Sequence, residues 1–248
     1  MKVAINGLGR IGRLVLRHLM KVPELEIAAV NDLAEPRILA HLIKHDSVHG
    51  RAAFPVSFDD QHLILDGIRV PVFREHHPAN IPFGPTGAAL VMECTGRFTD
   101  RISAAGHLKG GVKHVLISAP SEEADCTLVM GVNEQTFNPA KDHILSAASC
   151  TTNGLAIMAK VLDDAFGLDY GLMTAVHSYT SDQNILDLPH EDLRRARAAS
   201  MSMIPTSTGS AQAIDLVLPH LRGRLDGIAV RVPTPDVSLT DLTAILRR

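Results

Sequence analysis

The residues best suited to chemistry form the segment Ser149-Cys150-Thr151-Thr152-Asn153, which precedes a helical pattern that runs from Gly154 to about Phe166. Ser149 is a predicted N-cap, because its hydroxyl can accept a hydrogen bond from an amide of the first helical turn. Cys150 then lies in that turn, where the helix dipole favours a negative charge and lowers the pKa of a thiol. A nucleophilic thiolate is therefore one interpretation. The alternative is a small buried apolar residue, since free cysteine is among the most buried residue types.

The chain has 248 residues, enough for one large domain or two ordinary ones. Of its residues, 46% are hydrophobic and 21% are charged, which is typical of a globular protein. A net charge of -3 predicts neither a nucleic-acid partner nor a membrane-surface partner. Cys94, Cys126 and Cys150 are too few and too scattered for a disulfide framework, which favours a reducing compartment. No signal peptide or transmembrane run is recognisable, so we expect a cytoplasmic protein. The histidines lack the spacing of metal ligands, and no metal site is predicted.

A glycine-rich turn near the N-terminus has the context of a dinucleotide-binding fingerprint. Lys2-Val3-Ala4-Ile5 predicts a buried strand, and Gly7-Leu8-Gly9-Arg10-Ile11-Gly12 then opens a helical pattern. A second apolar run ends at Asp32, 20 residues after Gly12, where the fingerprint places a carboxylate for the ribose hydroxyls. That carboxylate also repels a 2′-phosphate, so NAD is predicted rather than NADP. The alternative is a glycine turn that only allows close packing of helix and strand.

Strands and helices continue to alternate up to Cys150. This pattern predicts an α/β fold with a Rossmann-type, mostly parallel sheet over residues 1–149. The predicted elements between the fingerprint and Cys150 include strands at 88–94, 112–118, 128–133 and 144–148 and a helix at 100–109.

The composition changes after the helix that follows Cys150. A β-rich run from Leu172 to Thr180 carries His177, and a long polar stretch from Ser181 to Ser202 follows it. A loop of this length in a compact domain is usually functional or disordered. The remaining predicted elements are a helix at 208–218 and strands at 227–233 and 237–246.

Several segments are highly specific in combination, above all SCTTN, HSYTSDQNILDLPHEDLRRARAAS and RVPTP, with INGLGRIGR, ECTGRF and ISAPS before them. Together they resemble the phosphorylating glyceraldehyde-3-phosphate dehydrogenase family over essentially the whole chain. The resemblance implies a Rossmann-type NAD-binding domain over residues 1–149, followed by an α+β catalytic domain over residues 150–248. It also implies that the catalytic domain is incomplete, because a C-terminal part of the family's usual length is absent. That part normally carries a tryptophan-containing motif with an asparagine that orients the nicotinamide, and this chain has 0 Trp.

The resemblance also implies the chemistry. Cys150 would attack the aldehyde of glyceraldehyde 3-phosphate to form a hemithioacetal, and His177 would act as the base. The Cys150 amide and the imidazole would stabilise the developing oxyanion. Hydride transfer to NAD would leave a thioester, which inorganic phosphate would cleave to 1,3-bisphosphoglycerate.

Binding roles follow from the same resemblance, position by position. The implied cofactor residues are Gly7, Gly9, Arg10, Ile11, Gly12, Asp32, Leu33, Thr95, Gly96 and Ser118. The implied residues for the substrate phosphate and the attacking phosphate are Ser149, Thr151, Thr180, Asp182, Arg195, Thr208, Gly209 and Arg231. Hydroxyls, arginines and amides at helix starts suit phosphate oxygens, although Thr208-Gly209 by itself is more typical of a plain helix cap. In the family the long loop reaches a neighbouring subunit's cofactor, which implies a homotetramer.

Two alternatives remain open on the sequence. The alternative enzyme is an erythrose-4-phosphate dehydrogenase. The intact SCTTN segment and the Thr208-Gly209 pair argue against it and favour a glyceraldehyde-3-phosphate dehydrogenase. A non-catalytic dinucleotide-binding or interaction protein is the other alternative. It is motivated by the implied missing part, whose absence would leave sheet edges and apolar faces uncovered.

Overall fold

A computed structural model describes all 248 residues, and the chain divides into two compact units. One unit comprises Met1–Leu128 with Thr136–Ala147, and the other comprises Val129–Gln135 with Ala148–Arg248. None of the helices combines the length and the apolar character that crossing a membrane requires.

The first unit is built on one large sheet. Its strands are β1 (Lys2–Asn6), β2 (Glu26–Asn31), β3 (His45–Asp46), β4 (Gly50–Arg51), β5 (Val56–Phe58), β6 (His62–Leu65), β7 (Ile68–Phe73), β8 (Leu90–Glu93), β9 (His114–Ile117), β10 (Cys126–Thr127) and β11 (Ile144–Ser146). Its helices are α1 (Arg10–Leu19), α2 (Pro36–Lys44) and α3 (Arg101–Ala105), with short 3-10 turns at Pro78–Asn80 and Gly84–Thr86.

Nine of these strands form a sheet in the order β10-β11-β9-β8-β1-β2-β7-β6-β5, while β3 and β4 pair separately. The strands from β10 to β7 pair in parallel, and β5 and β6 extend the edge as an antiparallel hairpin. This confirms the predicted Rossmann-type sheet. A parallel sheet aligns the carboxyl ends of its strands on one edge, which is where ligands bind in such folds.

Both faces of this sheet are covered, as its apolar strands predict. Val3 and Ile5 of β1 pack in one core cluster with Leu16 of α1. Ala4, which lies between them, belongs instead to a cluster on the opposite face with Phe83. The alternation follows from the two-residue period of a strand and fixes which helices lie on each face.

The second unit has a helix packed on a four-stranded sheet. Its elements are α4 (Cys150–Phe166), β12 (Leu168–Ser178), β13 (Ile204–Thr206), α5 (Ile214–Val217), β14 (Leu225–Val232) and β15 (Ser238–Leu246), with a 3-10 turn at Pro219–Leu221. The strand order is β13-β14-β12-β15. Leu155 and Ala159 of α4 share one core cluster with Met173 of β12, so the buried face of the helix fixes its first turn against the strand that carries His177.

Some predicted elements are wrong. Residues 128–133 do not form a strand: 128 and 129 are irregular and 130–133 form turns. The Asn133 side chain accepts the Val129 amide, and both Val129 and Val132 are buried in the core of the second unit. The predicted helix at 208–218 contracts to α5, because the Thr208 hydroxyl binds the Ser210 amide in a local turn. The predicted helix at 100–109 is α3 alone.

Candidate active site

The first unit carries a pocket at the carboxyl ends of its parallel strands. Its volume is about 270 Å³. The predicted cofactor residues that line it are Gly7, Gly9, Asp32, Leu33 and Thr95. The others lie beside it in the fold: Arg10, Ile11 and Gly12 begin α1, Gly96 follows Thr95, and Ser118 follows β9.

The three glycines of the fingerprint differ in their surroundings. Gly7 has a φ of +88°, and a Cβ there would lie 2.8 Å from Thr95 Cγ2. A Cβ on Gly12 would lie 1.9 Å from the Gly7 carbonyl oxygen, so this glycine allows α1 to pack on β1. Gly9 has open space around it and precedes α1 with no side-chain cap. An uncapped helix start with open space beside it fits a pyrophosphate.

Asp32 is held in place by backbone amides. Leu8 N donates to Oδ2 at 2.7 Å, and Ala34 N donates to Oδ1 at 3.0 Å. A carboxylate offers about four lone-pair positions, so two amide bonds leave acceptor capacity for ribose hydroxyls. The arrangement of Gly7, Gly9 and Asp32 therefore fits NAD.

The sequence prediction missed several residues that line this pocket: Asn6, Asn31, Glu75, His76, Arg97 and Phe98. Asn6 and Asn31 each end a parallel strand. The position of a polar residue at the end of an apolar strand was the available signal.

In the second unit, Cys150 is the first residue of α4 and Ser149 is its N-cap, which confirms the predicted cap. Ser149 Oγ accepts the Thr152 amide at 2.9 Å. Cys150 Sγ lies 3.1 Å from His177 Nε2, although 27 residues separate the two in sequence. Packing of α4 on β12 brings the thiol and the imidazole together, and no local rule predicts that contact.

The two groups shift each other's protonation. The hydrogen bond with His177 lowers the pKa of Cys150 to about 7, although partial burial opposes the shift. The same bond raises the pKa of His177, again against burial. By contrast, burial raises the pKa of Cys94 to about 12. Of these two thiols, Cys150 is the one with substantial thiolate at neutral pH.

The other side of the His177 ring is also fixed. His177 Nδ1 lies 2.7 Å from the Ser178 carbonyl oxygen, to which it donates when it carries the proton. That bond leaves Nε2 to face the sulfur. Arg231 Nη1 donates to the same carbonyl at 3.1 Å and to Thr180 Oγ1 at 2.7 Å. The guanidinium is thus joined to the strand end that carries the imidazole.

Arg231 belongs to a group of phosphate-suited side chains that the structure brings together. Thr180 Oγ1 donates to Asp182 Oδ1, and Arg195 Nη1 donates to Asp182 Oδ2 at 3.3 Å. Burial and the nearby charge of Arg195 lower the pKa of Arg231. The buried Nε of Arg231 has no hydrogen-bond partner. Two close guanidinium groups and an unpartnered buried N–H favour a bound anion.

A second polar group surrounds the start of α4. Ser149 Oγ lies 3.1 Å from Ser210 Oγ, and Thr208 Oγ1 donates to Ser210 Oγ at 3.0 Å. Thr151 is buried, and its hydroxyl lies 4.0 Å from Cys150 Sγ. Gly209 is exposed between Thr208 and Ser210. Sequence reasoning missed Ser210, which joins the two predicted phosphate-binding segments.

A residue with a strained backbone conformation contacts the end of the strand that carries His177. Val237 has a φ of +75°, a left-handed conformation that is unusual for a β-branched residue, and it is 75% exposed. Its carbonyl oxygen accepts the Ser178 amide at 3.1 Å. The backbone conformation at Val237 therefore helps to hold the residue that follows His177.

Val237→Gly should stabilise the chain by about 1 kcal/mol. Relief of left-handed strain, about 1–3 kcal/mol, exceeds the added entropy of the unfolded glycine chain, and little burial is lost. Urea unfolding followed by circular dichroism measures the change. Val237→Ala is the matched control: it keeps a Cβ at positive φ and should gain less. A Val237→Gly variant less stable than the parent chain would contradict the assignment of strain.

A dinucleotide-binding sheet in one unit and a thiolate–imidazole pair in the other are features of a cysteine-containing, NAD-dependent oxidoreductase. Comparisons with known proteins narrow the class. The model for the glyceraldehyde 3-phosphate dehydrogenase NAD binding domain matches residues 1–101, and that for the C-terminal domain matches residues 149–248. The chain belongs to the glyceraldehyde-3-phosphate dehydrogenase family.

Individual relatives agree with this assignment. The chain is 55% identical over 247 residues to the glyceraldehyde-3-phosphate dehydrogenase of Geobacillus stearothermophilus, covering 100% of this chain and 74% of the relative. It is also 55% identical over 247 residues to glyceraldehyde-3-phosphate dehydrogenase 1 of Bacillus subtilis, with the same coverage of 100% and 74%. Identity to the Streptomyces coelicolor enzyme of that name is 53% over 248 residues, covering 100% of this chain and 74% of the relative. Membership of the family confirms NAD as the cofactor of the first unit.

Proposed function

We propose that the chain catalyses the NAD-dependent oxidative phosphorylation of glyceraldehyde 3-phosphate to 1,3-bisphosphoglycerate, a step of glycolysis and gluconeogenesis. The observation that carries the proposal is the 3.1 Å contact between Cys150 Sγ and His177 Nε2 at the start of α4. A nucleophile activated by a base, with the base oriented by a third group, is the arrangement that covalent catalysis requires. Here the third group is the Ser178 carbonyl oxygen.

In the proposed mechanism the Cys150 thiolate attacks the aldehyde carbon, and a C–S bond forms. The developing oxyanion is stabilised by the Cys150 amide and by the imidazolium of His177, whose Nε2 then donates a proton to it. His177 Nε2 takes that proton back when the hemithioacetal is oxidised. When bound, NAD supplies the acceptor for the hydride that leaves in this oxidation.

The resulting thioester on Cys150 is cleaved by inorganic phosphate. The thiolate is a suitable leaving group, because a thiol with a pKa of about 7 leaves faster than one with an ordinary pKa. Cleavage returns the thiolate beside His177, so the Cys150 side chain ends the cycle in the form in which it began.

Two phosphate sites are part of the proposal. The substrate phosphate binds Arg231, where the unpartnered Nε supports the assignment, together with Thr180, Asp182 and Arg195. Asp182 acts there by holding the Thr180 hydroxyl and the Arg195 guanidinium, since a carboxylate itself would repel the anion. The attacking phosphate binds the hydroxyls and amides of Ser149, Thr151, Thr208 and Gly209.

We further propose that residues 1–149 act as the NAD-binding domain and residues 150–248 as the catalytic domain, in a homotetramer located in the cytoplasm. The exposed apolar side chains of the long loop support an assembly: Ile185 at 81%, Leu193 at 80% and Met201 at 80% exposure. Large exposed apolar patches typically mark protein interfaces.

One assay tests the proposed reaction. Purified chain is mixed with NAD, phosphate and glyceraldehyde 3-phosphate, and the absorbance of NADH is followed. We expect turnover that needs all three reactants and that falls when erythrose 4-phosphate replaces the substrate. No turnover alongside measurable NAD binding would overturn the proposal for this chain. A preference for erythrose 4-phosphate would favour the alternative dehydrogenase.

A further inference from the structure

Three neighbouring parallel strands of the first unit end on buried polar residues. Asn6 ends β1, Asn31 ends β2 and Glu93 ends β8, and the three lie in register across the sheet. The exposed fractions of these residues are 1%, 4% and 1%. Buried polar side chains are rare unless hydrogen bonds satisfy them, so these three residues are expected to belong to a hydrogen-bond network.

The Glu93 carboxylate is the centre of that network. Oε1 accepts the Thr95 amide at 2.9 Å and also the Thr95 hydroxyl. Oε2 lies 2.5 Å from Asn6 Nδ2, which donates to it, and 3.0 Å from His107 Nε2. Donors thus surround both oxygens, so each oxygen of the carboxylate acts as an acceptor.

His107 is the remaining side chain of the network. Its side chain is 0% exposed, its ring stacks on Phe83 with centroids 5.8 Å apart, and its Nδ1 has no partner. A buried N–H without an acceptor is costly, so the proton belongs on Nε2, where it is donated to Glu93. His107 therefore orients the carboxylate.

The network connects the ends of four neighbouring strands, β8, β1, β2 and β7, beside the NAD pocket. Glu93 binds Asn6 at the end of β1 and Thr95 after β8. Asn31 Nδ2 donates to Asn6 Oδ1 at 2.9 Å and to the Glu75 carbonyl oxygen at 3.0 Å, and its Oδ1 accepts the Glu75 amide at 2.8 Å. Asn6, Asn31, Glu75 and Thr95 all line the pocket, whereas Glu93 does not.

We propose that Glu93 is a positioning residue for NAD binding, whose buried carboxylate fixes the loops after β1 and β8 without touching the cofactor. The inference rests on the NAD site of the proposed function. It adds a residue to the predicted cofactor set, one that acts through Asn6 and Thr95.

Glu93→Gln is the sharpest test, because the substitution keeps the shape of the side chain and removes one acceptor. The amide NH₂ must face either the Thr95 amide or the Asn6 and His107 donors, so a donor opposes a donor in both orientations. We expect the dissociation constant for NAD, measured by isothermal titration calorimetry on the purified chain, to rise about 10-fold or more. The rate of Cys150 alkylation without NAD, which depends on the contact of Cys150 with His177, should not change.

Leu63→Ala is the control for a purely structural effect. Leu63 is fully buried in the same unit and does not line the pocket. This variant should lose thermal stability and bind NAD within about 2-fold of the parent chain below its unfolding transition. An unchanged dissociation constant in Glu93→Gln, or an equal rise in both variants, would overturn the proposal. Failure of the parent chain to bind NAD would instead refute the NAD site itself.

A pair of His107 variants keeps the test decisive if Glu93→Gln does not fold. His107→Gln can still donate an N–H toward the carboxylate, whereas His107→Leu cannot. We expect His107→Gln to bind NAD within about 3-fold of the parent chain and His107→Leu to bind about 10-fold more weakly. Equal affinity of the two variants would contradict the positioning role.

Discussion

Cys150→Ser should reduce turnover by about 10⁴-fold or more, because the substitution removes the covalent nucleophile. A serine hydroxyl is not ionised at neutral pH, and the His177 contact cannot make it equivalent to a thiolate with a pKa of about 7. The NADH assay of the purified variant measures the loss. NAD binding should be retained, since Cys150 does not line the pocket formed by Gly7, Gly9 and Asp32.

Cys126→Ser is the matched control for this prediction. Cys126 is part of β10 in the first unit, and its thiol lies 3.6 Å from the Thr136 hydroxyl. Activity should be retained within about 2-fold, as is usual for a substitution away from a special site. In the parent chain, iodoacetamide should label Cys150 before Cys94 or Cys126. Equal labelling of the three thiols would argue against an activated Cys150.

His177→Asn should have the second largest effect. The variant loses the hydrogen bond that is the main cause of the low pKa of Cys150, so that pKa should rise from about 7 toward the reference value of 9.0. At pH 7 the thiolate fraction would fall from about one half to about 1%. Alkylation should slow by about 50-fold at that pH, and turnover should fall by about 10²–10⁴-fold, because a general acid–base is also lost.

The pH dependence of alkylation tests the direction of the pKa shift of Cys150. A lowered pKa means that the parent chain keeps its thiolate above about pH 7 and loses it as the pH falls through that value. The rate of iodoacetamide labelling against pH should therefore rise with a midpoint near 7 in the parent chain. In His177→Asn the midpoint should lie at higher pH. Coincident profiles would contradict the assigned role of the imidazole.

Local rules allowed the sequence to predict much of this structure. The Ser149 cap, the end of α4 at Phe166 and the glycine turn before α1 depend on residues within a few positions of one another. The parallel sheet follows from regular alternation of apolar runs and helical patterns. These features were predictable because short-range chemistry determines them.

Other features depend on packing between distant segments. The run 128–133 is apolar enough for a strand, but burial of Val129 and Val132 against the second unit's core decides its conformation. The contact of Cys150 with His177 requires the register of β12 and the packing of α4 on it. From the residues alone that contact was not predictable, and only the family resemblance pointed to it.

The Glu93 network shows the same limit in the first unit. Glu93 and His107 are 14 residues apart, and nothing in the local sequence indicates that their side chains meet. A carboxylate at the end of an apolar strand was visible, but its acceptance of bonds from Asn6 and Thr95 depends on strand register. Position at a strand end is therefore a useful signal, and its partners require the structure.

Mass spectrometry of the covalent intermediate is the most direct test of catalysis through a Cys150 thioester. Purified chain is mixed with NAD and glyceraldehyde 3-phosphate in the absence of phosphate, quenched in acid and digested. A thioester mechanism predicts that the peptide containing Cys150 gains the mass of a phosphoglyceroyl group, and that added phosphate removes it. An unmodified Cys150 peptide in a chain that produces NADH, or a modification on Cys94 or Cys126, would contradict a thioester mechanism at Cys150.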